Sequence, residues 1–297
     1  MFALLLVSLL LCLVKASSLG HDNYAWSKND AERMVRYSYS AYCHKEAILA
    51  WDCEFCDSLT SGFTTVHYSY DSSTDTAAFV GYNNNTKEII TSFRGTEPTH
   101  IQDWLDDIEF WKADYPVWNI SGAKVHSGFY DSYMKHSTDV TSNLLVLMDA
   151  FPTYQVFITG HSLGAAMAAL LSMDLYYNKA EEIFSRQNPI HSMTFGSPRV
   201  GNYEFYKAFE DVRNAIAYYR VTHENDMIPH LPTQSMGFHH LPTEVWETSK
   251  GFKICDGAGE DPKCSDSNWT DLSIPDHLSY MNLLFVSCWT EASTATI

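Results

Sequence analysis

Apolar positions along the first half of the chain recur at two different periods. From Asp30 to Tyr42 they fall three and four residues apart, so Ala31, Met34, Val35, Ser38 and Tyr42 share one side of a helix that Asp30 is placed to cap. Two strand-like runs follow, Thr76–Tyr82 and Lys87–Phe93, separated by the turn-forming Asn83-Asn84-Asn85. Helical spacing returns at Ile101, Trp104, Leu105 and Ile108, and again over Ser137–Ala150, which stops ahead of Pro152.

The sharpest change of period lies between Tyr154 and Leu171. Its first part is β-rich and apolar, as a buried strand is, and after Gly164 it becomes rich in Ala and Leu and strongly helix-forming. The hinge is Gly160-His161-Ser162-Leu163-Gly164. Strand and helix patterns keep alternating through Ile190–Phe195, Tyr203–Glu210 and Ala217–Thr222, which predicts an α/β fold with a central, mostly parallel sheet flanked by helices.

The ends and the composition bound this picture. The apolar run Phe2–Val14 is short for a membrane span and is followed by small residues, with Val14 and Ala16 suitably placed before a cleavage point. Residues 1–16 are read as a signal peptide and 17–297 as one domain, there being no low-complexity linker and no internal repeat. The leader lacks an opening Lys or Arg, and a retained anchor is the rival reading. No later stretch is apolar enough to span a bilayer. The formal charge of −17 repels nucleic acid and disfavours adsorption to strongly anionic membranes, so neither is an expected partner.

Without Cys12 six cysteines remain: Cys43, Cys53, Cys56, Cys255, Cys264 and Cys288. An even number behind a leader points to disulfides, and fifteen pairings are open. Spacing favours Cys53–Cys56 and Cys255–Cys264, which leaves Cys43 for Cys288. Cys53-Glu-Phe-Cys56 has no second pair at ligand spacing to make a zinc site with it. Sequons at Asn84, Asn119 and Asn268 are glycosylation candidates.

The hinge supplies the chemistry. A serine on a sharp strand-to-helix turn has a strained backbone, and the flanking glycines let strand and helix approach. The turn exposes the hydroxyl and sets the N–H of Leu163 at a helix N-terminus, where a developing oxyanion is stabilised. Such a serine needs a base to take its proton and a carboxylate to orient the base, expected in the order acid, then histidine. Asp226 follows a strand-like run, with Glu224 as the rival acid. His277 has rivals in His223, His230, His239 and His240. Spacing alone leaves both choices open.

Five blocks decide between them by resemblance. Phe93-Arg94-Gly95-Thr96, Val125-His126-x-Gly128-Phe129, the Gly160–Gly164 hinge, Phe195-Gly196-Ser197-Pro198-Arg199-Val200-Gly201-Asn202 and Asp276-His277-Leu278-Ser279-Tyr280 together resemble the fungal-type class 3 lipase family. Asn225-Asp226-Met227-Ile228-Pro229 resembles its aspartate block, and the likeness runs from about Asp30 to Cys288. It implies an α/β-hydrolase fold with Ser162 as nucleophile, His277 as base and Asp226 as its orienter. It also implies Thr96 and Leu163 as the oxyanion hole, and it matches the disulfide pairing favoured by spacing. The segment after Thr96 would be a short helical lid, with Ile101, Trp104, Leu105 and Ile108 as its apolar stripe. Asp103, Asp106, Asp107 and Glu109 make that lid more anionic than a strongly lipid-seeking one needs to be.

The resulting expectation is a secreted, monomeric lipase of acylglycerols that meets its ester at a lipid–water interface and needs no metal or organic cofactor. Phospholipase A1 and feruloyl-type esterase activity are the alternatives on the same scaffold. A non-catalytic lipid-binding relative is the reading from another class. A metal-dependent hydrolase would need a ligand cluster such as His-Glu-x-x-His, which the sequence lacks.

Overall fold

A computed structural model describes residues 24–97, 101, 112–114 and 118–284. The leader, Trp104, Leu105, Ile108 and Cys288 lie outside the described residues, and with them the Cys43–Cys288 pairing and most of the expected lid stripe. In chain order the elements are α1 (Lys28–Ser40), α2 (Lys45–Ala50), β1 (Phe63–Asp71), β2 (Thr76–Asn83), β3 (Glu88–Arg94), β4 (Lys112–Asp114) and β5 (Lys124–His126). Then come α3 (Ser127–Ala150), β6 (Gln155–His161), α4 (Leu163–Tyr177), α5 (Ala180–Phe184), β7 (Ile190–Phe195), α6 (Tyr203–Val212) and β8 (Ala217–His223). The described chain ends with β9 (Glu244–Thr248), β10 (Gly251–Ile254), α7 (Ile274–His277), β11 (Ser279–Tyr280) and β12 (Leu283–Leu284).

Among the described residues the main sheet has eight strands in the order β1-β2-β3-β6-β7-β8-β9-β10. Strands β3, β6, β7, β8 and β9 run parallel, while the two hairpins β1–β2 and β9–β10 make the edges antiparallel. Helices cover both faces, so the central strands are apolar on both sides. Val156 and Ile158 of β6 pack with α3, α4 and α6, whereas Phe157 between them packs with α1, as period-2 geometry requires.

Apart from the helical segment expected around Ile101–Ile108, which lies mostly outside the described residues, the elements expected from periodicity are present, most with shifted ends. Helix α1 starts at Lys28 and not at Asp30, because Ser27 is the cap: its side chain accepts the Asp30 N–H. The apolar side is as read, with Ala31, Met34, Val35, Ser38 and Tyr42 all buried. Helix α3 starts ten residues before Ser137, at Ser127, since Phe129 and Tyr133 are pulled into the core despite the Gly128 beside them. Cys53–Cys56 and Cys255–Cys264 are bridged. Among the described residues Glu244, Cys255 and Cys264 are the one group with metal-ligand spacing, but both sulfurs are in that disulfide. No helix among the described residues is long and apolar enough to cross a membrane.

Candidate active site

Ser162 stands between β6 and α4 with φ 59° and ψ −129°, a backbone conformation that a non-glycine residue adopts only under strain. Close approach explains the flanking glycines. A Cβ on Gly160 would lie 2.3 Å from the Gly164 carbonyl oxygen, and one on Gly164 would lie 2.2 Å from that of Phe93. The end of β3 therefore abuts the elbow, bringing the Gly95–Thr96 segment to the first turn of α4. Leu163 opens that helix and is buried, and its N–H has no acceptor within the helix.

His277 ends α7, the short turn whose cap is Ser273. Its Nδ1–H donates to Asp226 Oδ2 at 2.9 Å, and both side chains are buried. The bond fixes the tautomer, leaving the Nε2 lone pair available. Asp226 is held in turn by the Ile228 N–H on Oδ1 (2.8 Å) and the Tyr280 hydroxyl on Oδ2 (2.5 Å). Burial and the neighbouring carboxylate push the Tyr280 phenol well above its ordinary range, so it remains a neutral donor. Gly196 leaves room for the pair: with φ +58°, it would place a Cβ 2.8 Å from the imidazole and 3.0 Å from Asp226 Oδ2.

The imidazole meets the elbow through His161, whose ring lies 4.3 Å from that of His277 between centroids. The Ser162 N–H donates to the Phe195 carbonyl, next to Gly196. Ser162 Oγ and His277 Nε2 are both buried, and neither has a hydrogen-bond partner among the described residues. Those are the two atoms a serine–imidazole proton transfer would join. Unmade contacts of this kind are common before substrate binds.

The rival residues are engaged elsewhere. Glu224 accepts the Ser249 N–H, and His223 Nδ1 donates to the Asp276 carbonyl at 3.1 Å. His239 Nδ1 donates to the His240 carbonyl, and His240 Nε2 to that of Pro229 at 2.6 Å. The ring of His230 packs against Trp269. Ile101 is helical and buried. Of the sequon asparagines, Asn84 and Asn119 are exposed, whereas the Asn268 amide donates to Asn225 beside Asp226. The sequence reading gave no role to Tyr280, Gly196 or Asp276, although each lies inside a block it had singled out. Asp276 Oδ2 accepts the Asn225 N–H at 3.0 Å, tying the residue before the imidazole to the residue before the carboxylate.

A mostly parallel sheet with a serine at a β6–α4 elbow and an acid–histidine pair on later loops defines an α/β-hydrolase. A family model described as lipase (class 3) matches residues 90–236. The chain is 34% identical to a lipase of Rhizomucor miehei over 282 residues, covering 91% of this chain and 74% of that relative. It is 31% identical over 193 residues to secreted mono- and diacylglycerol lipase 1 of Fusarium solani, covering 62% and 54%. A solved triacylglycerol lipase, whose catalytic centre is described as a serine protease triad, superposes with a TM-score of 0.77 at 33% identity, covering 89% of this chain and 98% of that one. The chain thus belongs to the class 3 lipase family, serine hydrolases of carboxylic esters. It spans between 54% and 74% of the length of the curated relatives it matches.

Proposed function

We propose that this protein hydrolyses acylglycerol esters, with Ser162 as nucleophile, His277 as base and then acid, and Asp226 as the group that orients and stabilises the imidazole. The observation that carries this reading is the buried Asp226–His277 pair docked at a strained elbow whose Ser162 hydroxyl has no hydrogen-bond partner among the described residues. In the first step the Ser162 proton passes to His277 Nε2 as Oγ bonds to the ester carbonyl carbon. The negative oxygen is held by the Leu163 N–H and by Thr96. Collapse breaks the bond to the alcohol oxygen, which takes the proton from His277. Water then repeats the sequence on the acyl-enzyme, releasing the acid and restoring Ser162.

No step requires a metal or organic cofactor, and the enzyme is read as a monomer. Secretion fits the two disulfides and the secreted Fusarium relative. The test is covalent labelling by a fluorophosphonate, compared between the parent and Ser162→Ala. The parent should label and turn over. Ser162→Ala should do neither, yet unfold within about 0.5 kcal/mol of the parent, because the missing oxygen made no hydrogen bond. A folded parent that does not label would favour the lipid-binding reading. Rates on short and long acylglycerols, a phosphatidylcholine and a feruloyl ester, below and above their solubility limits, then separate the substrate classes.

A further inference from the structure

His161, the residue before the nucleophile, is fully buried at the end of β6. Its Nε2 lies 2.8 Å from the main-chain carbonyl oxygen of His277. A carbonyl can only accept, so this nitrogen carries the proton. Burial, reinforced by the adjacent His277, pushes the proton affinity of His161 well below the ordinary imidazole range, so the ring is neutral and its Nδ1 is an acceptor. The Tyr42 hydroxyl faces two acceptors, that Nδ1 at 3.2 Å and the His161 carbonyl oxygen at 3.1 Å, and its oxygen accepts the Gly95 N–H at 3.1 Å, one residue ahead of Thr96. Tyr42 thus ties both the side chain and the main chain of His161 to the segment beside the elbow, while His161 Nε2–H reaches the backbone of His277. The two imidazoles are in contact, tilted by 32° from one another.

We propose that His161 is a positioning residue for His277, its Nε2–H anchoring the main chain of the base and its ring setting the plane of the neighbouring imidazole. The proposal rests on His277 being the base. A purely space-filling histidine would make rate depend on volume and stability alone. An anchor makes rate depend on a donor at the Nε2 position. Without that donor the buried His277 carbonyl has to turn toward another partner, and the side chain turns with it. A misplacement on the order of 1 Å at a reacting group costs about 100-fold in rate.

The experiment compares His161→Gln with His161→Asn. Glutamine can present its amide nitrogen near the Nε2 position, whereas the shorter asparagine reaches only the Nδ1 position. Steady-state kinetics on a soluble short-chain ester and thermal unfolding are measured for both. His161→Asn should lose about 10- to 100-fold in kcat with KM within about twofold. His161→Gln should retain kcat within about threefold at a similar Tm, which is rescue by the donor. Equal kcat in the two variants overturns the proposal. If His161→Asn fails to fold, His161→Gln decides alone: a loss of about tenfold or more at parental Tm overturns it, and retention supports it. His277→Ala, run alongside, separates the two failures. Parental activity there refutes His277 as base, while an inactive His277→Ala beside equal His161 variants refutes only the anchor.

Discussion

Gly196→Ala places one methyl group against the acid–base pair and gives the sharpest test of how closely that pair is built. The methyl carbon would start 2.8 Å from His277 Cε1 and Nδ1 and 3.0 Å from Asp226 Oδ2. Non-bonded carbon contacts settle near about 3.5 Å, so the imidazole must retreat by about 0.7 Å or the 195–197 backbone must move by as much. A retreating ring either stretches the 2.9 Å bond to Asp226 or re-aims Nε2. On the scale of about 100-fold per 1 Å, kcat should fall about 10- to 100-fold. The left-handed φ of +58° adds a stability cost of about 1–2 kcal/mol for a residue with a Cβ. Kinetics on a soluble ester together with urea unfolding would separate the two effects. A variant destabilised as expected but turning over at the parental rate would refute the claim that Gly196 is there to seat the imidazole.

Tyr280→Phe removes one of three donors to Asp226, leaving the His277 Nδ1–H and the Ile228 N–H. A hydrogen bond to a charged group is worth about 1.5–3 kcal/mol, so both stability and kcat should drop, and unchanged values in both would refute that role. Acid should destabilise the fold through His136, which burial lowers from the ordinary 6.5 to about 4 while Ser69 and Thr76 hold its two ring nitrogens. The unfolded chain then binds the proton first, so this contribution is complete above pH 6.5 and is lost as pH falls toward 4. At about 1.4 kcal/mol per pH unit the loss approaches about 3 kcal/mol. Urea midpoints from pH 7.5 to 4 should fall less steeply in His136→Gln than in the parent, and equal slopes would refute the assignment.

The sequence was most legible where one physical demand dominates a short stretch. The β6–elbow–α4 unit announces itself because a buried strand, a strained serine and an Ala-rich helix each leave a compositional mark within Tyr154–Leu171. Ile190–Phe195 came out with its ends unchanged, its apolar Ile190, Met193 and Phe195 marking a strand that is buried on both sides. The edges were harder. Strand β1 went unnoticed because a bulge between Thr65 and His67 breaks its alternation and one face is largely open. Strand β9 carries Glu244 and Glu247 at buried positions, which no hydrophobicity pattern marks as strand core. Glu244 is tolerated there because Thr222 Oγ1 donates to it at 2.6 Å and Arg220 lies at 3.5 Å. Those partners come from a different strand, so nothing local forecasts them.

The residues proposed as acid and base, Asp226 and His277, were hard to choose by spacing for a related reason. Neither sits on a strand, and what brings them together is largely a main-chain contact between two loops. Ser273 N–H donates to the Asn225 carbonyl at 2.8 Å, and the Met227 N–H returns a bond to the Ser273 carbonyl at 3.3 Å. Asp276 caps the Asn225 N–H, and His223 donates to the Asp276 carbonyl. Main-chain groups are the same in every residue, so this stitching leaves little trace in composition, and only the side chains of Asp276 and His223 could have hinted at it. Its physical effect is that the Asp226 and His277 backbones are locked to each other before their side chains meet. The 2.9 Å bond between them then costs little further ordering, and a displacement of either loop carries its partner with it. In the proposed mechanism the two loops carry acid and base as one unit, and the gap that remains to be closed in turnover is the one between the imidazole and the elbow, where His161 stands.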